Sequence, residues 1–201
     1  MSNIGILAYG SLIANSGKEI QSRIDNIKDT ITPFKVEFAR KSKTRNYAPT
    51  LIPVKEGGAK VRAKILVLKE EVSLEEAKDM LYRRETHEIC SKKKYPRPAH
   101  PNPNEVFINE IEDFRGVKIV LYTEIGKNIN NPAPKKLAEL AIESVCSTVG
   151  KKREDGISYL IDAKFNRIKT LLMPEYEKEI LKQTNTKSLH EAWEVSAYGN
   201  L

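Results

Sequence analysis

Two short stretches of this chain carry residue types that could do chemistry together. The first is Ala8-Tyr9-Gly10-Ser11-Leu12, where an apolar run halts at a glycine and a hydroxyl. Gly10 lets a ligand approach the backbone closely, and successive N–H groups in such a turn form a small nest for a carboxylate or a polarised carbonyl oxygen. Ser11 adds a hydroxyl, and Tyr9 adds a wall and a phenol. The second is Glu85, in Leu81-Tyr82-Arg83-Arg84-Glu85-Thr86-His87. Glu85 follows Leu81 by four residues and so can share its helix face. A carboxylate there is either paired with a neighbouring Arg or Lys or pushed toward its protonated form, and the second case suits a general base. His87 and Cys90 lie just beyond, with no His/Asn partner pattern to mark a nucleophile and no complete metal set.

The secondary structure around both stretches follows from pattern. Asn3 to Tyr9 reads as a buried strand ending in a tight turn. Ser16 to Glu19 has capping-box spacing, and Ile20, Ile24 and Ile27 follow at helical intervals, which predicts a helix near 17–28. Phe34, Val36 and Phe38 alternate as a strand does. Leu51 to Val54 predicts a short strand, turned by Gly57-Gly58 into a hairpin with Val61 to Leu68. Ser73 caps a helix near 74–86 that ends on Glu85. The four prolines of 87–104 predict a long irregular loop, of the kind that often carries function. Val106 to Ile111 and Val117 to Tyr122 predict a second hairpin turning at 113–116. The remainder reads as helices: one from Pro134 to about Thr148, one over Asp155 to Phe165, one opened by Pro174 and one capped by Ser188.

Composition limits the function classes. A chain of 201 residues, 40% hydrophobic and 30% charged, has the make-up of a globular protein able to bury a core without staples. No apolar run reaches the ~20 residues a bilayer requires. The first residues lack a basic leader pattern, and Cys90 and Cys146 do not make a disulfide framework, so a cytoplasmic protein is expected. The net charge of +7 raises nucleic acid as a partner. It is spread along the chain, without aromatic repeats or finger spacing, which argues for a solvated surface or a field that steers anionic substrates.

Taken in order, these pieces resemble the gamma-glutamylcyclotransferase-like family. The resemblance is carried by the strand with Tyr9-Gly10-Ser11 and Leu12, the segment Tyr47-Ala48-Pro49-Thr50-Leu51-Ile52-Pro53, the strand from Gly58 to Leu68, the helix ending Leu81-Tyr82-Arg83-Arg84-Glu85, and the strand pair over Val106 to Tyr122. It spans roughly residues 4–125. Family members commonly have Gly after the Glu, where this chain has Thr86. The resemblance implies an α+β fold: a small mixed β-barrel with surrounding helices over 1–130, followed by a helical C-terminal extension over 131–201. It implies Glu85 as general acid/base, with Tyr9, Gly10, Ser11, Leu12 and Tyr47 binding substrate. The implied reaction turns a gamma-glutamyl amide into 5-oxoproline and a free amine or amino acid. No cofactor or metal is implied, because the nucleophile belongs to the substrate. The other readings are a non-catalytic binding protein for a small acidic ligand on the same scaffold and a module for an anionic partner.

Overall fold

The computed structural model describes residues 4–100 and 102–199. The expected strand start at Asn3 and the loop residue Pro101 lie outside them. The described chain is mixed α+β and divides into two compact units, each made of two chain segments. One unit joins residues 1–32 to 62–126, and the other joins 33–61 to 127–201. The last of the three boundaries follows Gly126, where the sequence sets a single one at 130. Residues 33–61, which the sequence assigns to the body, group with the helical part.

The first unit is built on a five-stranded sheet in the order β2-β5-β1-β7-β6. Its strands are β1 (Ile4–Ala8), β2 (Ile24–Ile31), β5 (Arg62–Leu68), β6 (Phe107–Phe114) and β7 (Val117–Glu124). β1 is central, antiparallel to β5 and parallel to β7. Gly5, Ile6, Leu7 and Ala8 are all buried, as a strand covered on both faces requires. Three helices complete the unit: α1 (Ser11–Ala14), α2 (Lys18–Ser22) and α3 (Leu74–Glu85). Ala77, Met80 and Leu81 of α3 join Ile6, Ala8, Leu12, Ile20, Leu66 and Leu121 in one core. The expected small barrel is corrected to an open sheet. Among the described residues the order runs from β2 to β6, with no pairing of those two edges to close it.

Two element predictions fail here, each because long-range pairing overrides a local pattern. The helix near 17–28 is only α2; from Ile24 the chain is strand β2, antiparallel to β5 over Ile24 to Ile31. Ile24, Ile27, Thr30 and Ile31 are β-branched and favour a pleated surface. Ser16 is not the cap either. Gly17 holds that position at φ 81, without a side-chain bond. The hairpin between Leu51–Val54 and Val61–Leu68 does not form, because β5 pairs with β1 and β2. The hairpin of β6 and β7 is as expected. Its two turn residues, Arg115 and Gly116, have φ of 54° and 75°, the left-handed pair of a tight primed turn.

The second unit pairs β3 (Lys35–Ser42) with β4 (Ala48–Val54) and adds α4 (Pro134–Val145), α5 (Thr148–Lys151), α6 (Gly156–Phe165), α7 (Met173–Thr184) and α8 (Leu189–Tyr198). Phe38 from β3 meets the rings of Tyr159 and Tyr176 edge-on in its core. Asp155 caps α6: its carboxylate accepts from Ser158 N at 2.9 Å, Ser158 Oγ at 2.7 Å and Trp193 Nε1 at 2.9 Å. The buried Glu37 carboxylate of β3 accepts from Thr170 Oγ1 at 2.5 Å and from Leu172 N at 3.1 Å, where α7 begins. No helix among the described residues is long and apolar enough to cross a membrane.

Candidate active site

The Tyr9-Gly10-Ser11-Leu12 turn leaves the central strand of the first unit. β1 ends at Ala8, and Gly10 takes φ 60°, ψ −136°, a conformation that a side chain would strain. This kink lets α1 start at Ser11. The N–H groups of Ser11 and Leu12 open that turn and so take no intrahelical partner. The Leu12 side chain is buried in the core, so this residue offers a ligand its backbone alone. The Tyr9 hydroxyl donates to Thr123 O of β7 at 2.9 Å. That bond ties the strand end in place and leaves the ring as the wall.

Glu85 is the last residue of α3. The helix starts as the sequence indicates, with Ser73 Oγ accepting from Glu76 N at 3.1 Å. It stops at Thr86, whose φ of −94° needs no glycine; the left-handed residue is His87, at φ 58°. Glu88 N then donates to Arg83 O at 2.8 Å, satisfying a terminal carbonyl. The residue that distinguishes this chain from the family pattern therefore sits in ordinary backbone.

Arg84 joins the two stretches. Its Nη1 donates to Glu85 Oε1 at 2.7 Å and its Nη2 to Ser11 Oγ at 3.2 Å. Nε and Nη2 also donate to Asn15 O, at 3.1 and 2.8 Å. The guanidinium is thus fixed on a backbone carbonyl just beyond α1 and presents its terminal fork to Ser11 and Glu85. Both side chains of the ion pair are mostly covered, at 14% exposure for Arg84 and 22% for Glu85. Of the two outcomes open to a carboxylate at this position, the structure shows the paired one, which counts against a general base unless a ligand displaces Arg84. Arg84 stands in the quoted motif, but nothing in its spacing indicates that it would reach back 73 positions to Ser11. That contact depends on α3 lying against β1 and its turn.

Neighbouring side chains lock the surroundings. Arg83 Nε donates to Glu19 Oε2 of α2 at 3.0 Å, and its Nη1 donates to Lys93 O at 2.9 Å. Asp79 accepts from Tyr95 N at 2.8 Å, and the buried Tyr95 hydroxyl accepts from Ile108 N at 3.0 Å. The irregular 87–104 stretch is therefore held to α3 and β6 at defined points. His87 and Cys90 take left-handed backbone in this stretch, and Cys90 and Cys146 are free thiols. Among the described residues no three His, Cys, Asp or Glu side chains group as metal ligands.

Of the predicted site residues, Tyr9, Gly10, Ser11 and Leu12 form one turn, and Arg84 connects it to Glu85. Tyr47 belongs to the second unit. It is exposed, has left-handed backbone at φ 61°, and its N–H donates to Ser42 O at 2.7 Å to close the β3–β4 connection. A surface groove of about 480 Å³ also lies in the second unit, along Lys164, Arg167, Ile168, Met173 and Glu177. It includes none of the predicted residues. Comparison with protein-family models, curated proteins and solved structures finds no match to the chain.

The arrangement offers a carboxylate that can accept a proton and a guanidinium that can hold negative charge. Beside them lies a backbone turn whose N–H groups can face an oxyanion.

Proposed function

We propose that the chain is a cyclotransferase of the gamma-glutamylcyclotransferase-like kind, converting a gamma-glutamyl amide into 5-oxoproline and an amine. The observation that supports this reading is the shared guanidinium: the Ser11 hydroxyl and the Glu85 carboxylate bond to the same Arg84. In the proposed reaction the α-amino nitrogen of the substrate attacks its own γ-carbonyl carbon. A C–N bond forms there, and the bond from that carbon to the leaving nitrogen breaks. The substrate amine arrives as an ammonium. Glu85 exchanges Arg84 for this new cation and takes one of its protons; the ring nitrogen sheds a second after attack, so that one proton reaches the leaving nitrogen as its bond breaks and the other leaves with the released amine as its ammonium. The Tyr9 to Leu12 turn holds the glutamyl chain folded, which can lower the barrier by up to ~7–11 kcal/mol. Its N–H groups face the γ-oxygen, each worth about 3–4 kcal/mol when well aimed. This reading takes the open sheet of the first unit as the family body. It assigns the positive field to drawing in anionic substrates and places the protein in the cytoplasm.

Glu85→Gln tests the reading. The variant is expected to fold, with a lowered denaturation midpoint because Arg84 loses its anion, and to lose ~10²–10⁴-fold in 5-oxoproline release across a panel of gamma-glutamyl amides, peptides and amines. Full activity removes Glu85 from the chemistry. The closed Arg84–Glu85 pair specifically supports a second reading, a binding protein without turnover. Tight calorimetric binding of gamma-glutamyl compounds with no product after prolonged incubation selects it.

A further inference from the structure

We infer that Arg84 is the receptor for the substrate's α-carboxylate, so that the closed Arg84–Glu85 pair stands in for the head group of an α-amino acid. This rests on the site proposed above and adds a specificity residue to it.

The Arg84 guanidinium is anchored along one edge. Its Nε edge is spent on Asn15 O, at 3.1 Å from Nε and 2.8 Å from Nη2. A carbonyl of the main chain is an anchor that cannot rotate away. The terminal fork, Nη1 and Nη2, faces Glu85 Oε1 and Ser11 Oγ. Both of these are side-chain atoms that can turn aside. An arginine fixed along one edge with its terminal fork on displaceable groups is suited to bidentate capture of a carboxylate.

Charge balance then defines the ligand. Among the contacts of this cluster, Arg84 is the one cation and Glu85 the one anion. Two neighbouring acids are already paired: Glu19 of α2 with Arg83, and Glu88 of the following loop with Lys93. A ligand carrying only an ammonium would leave Arg84 without its anion, and one carrying only a carboxylate would strand Glu85. Each case leaves a mostly covered charge uncompensated, which is costly. A zwitterion places its ammonium on Glu85 and its carboxylate on the Arg84 fork, so both charges exchange one partner for another. The head group of a gamma-glutamyl compound, with its α-amino group and α-carboxylate on the same carbon, meets this requirement. Amides of simple ω-amino acids do not.

The test compares gamma-glutamyl ethylamide with 4-aminobutanoyl ethylamide, which lacks only the α-carboxylate. Binding is read by calorimetry, or as KM where product forms. The wild type is expected to prefer the first compound by at least thirtyfold. Arg84→Met is expected to reduce that ratio to within threefold, and Arg84→Lys, which keeps the charge without the fork, to an intermediate value. A ratio near one in the wild type overturns the inference, as does an unchanged ratio in Arg84→Met. Should Arg84→Met fail to fold, an unchanged ratio in Arg84→Lys overturns it equally. Selective binding without any 5-oxoproline sinks the cyclotransferase reading and leaves the assignment of Arg84 standing.

Discussion

Arg84 Nη2 reaches Ser11 Oγ at 3.2 Å, joining the end of a helix to the turn that follows the central strand. The same nitrogen reaches Asn15 O at 2.8 Å, so the hydroxyl contact is an addition to an existing anchor rather than the anchor itself. Ser11→Ala should therefore leave the guanidinium in place. The expected loss is about 1 kcal/mol for one hydrogen bond, or roughly fivefold in kcat/KM for 5-oxoproline release. Steady-state kinetics at several substrate concentrations check this; a drop beyond a hundredfold would give Ser11 a larger part than positioning.

Glu37 and α7 form a second testable pair. Its carboxylate accepts from Thr170 Oγ1 and from Leu172 N while almost fully buried. Glu37→Gln keeps the shape but replaces one acceptor oxygen with a donor. Hydrogen bonds to a charged group contribute about 1.5–3 kcal/mol each, so a destabilisation of about 2 kcal/mol is expected. A shifted denaturation midpoint at constant m-value is the measurement.

Tyr176 is a third case. Its hydroxyl is the one buried side-chain polar atom without a hydrogen-bond partner among the described residues. Burial first, then the charges of Asp155 and Tyr159, push its phenol well above the usual tyrosine range. A folded-state value above the unfolded value near ~10 stabilises fully below that pH. The contribution is lost as pH rises through the alkaline range toward the folded value, because the unfolded chain ionises first. Tyr176→Phe is expected to gain about 1 kcal/mol at neutral pH by removing an unpaired group, and to lose less stability above pH ~10. Paired denaturation curves at neutral and alkaline pH give both readings. Destabilisation at neutral pH would show that the hydroxyl has a partner such as an internal water.

Legibility in the sequence depended on the range of the interaction. α3 was readable because Ser73 caps it and its apolar residues recur at helical spacing, both local signals. The β6–β7 hairpin was readable for the same reason, with its turn and alternation inside a few residues. β2 was misread because Ile20, Ile24 and Ile27 fit a helix locally, while the partner that makes residues 24–31 a strand lies in β5. The pairing of β5 with β1, and the reach of Arg84 to Ser11, are likewise set by tertiary neighbours. At the site, the motif residues Gly10 and Glu85 stood out by type and position. The guanidinium that connects Ser11 to Glu85 did not, since an Arg beside a Glu near a helix end is ordinary surface chemistry until the fold brings Ser11 to it.

The interleaving of the two units bears on how the chain acquires its structure during synthesis. β1 precedes its parallel partner β7 by more than a hundred residues, so the first sheet stays incomplete until about residue 124 has left the ribosome. Residues 33–61 wait longer still, because the helices of their unit begin at Pro134. Such sequence-distant pairings slow folding and leave strand edges open to wrong partners while they wait. A stop at residue 130 would thus release a nascent chain with the β3–β4 ribbon stripped of its helices. The first unit is better expressed with Thr32 linked directly to Arg62, which pairs with Ile31 in the sheet, than cut at a single point.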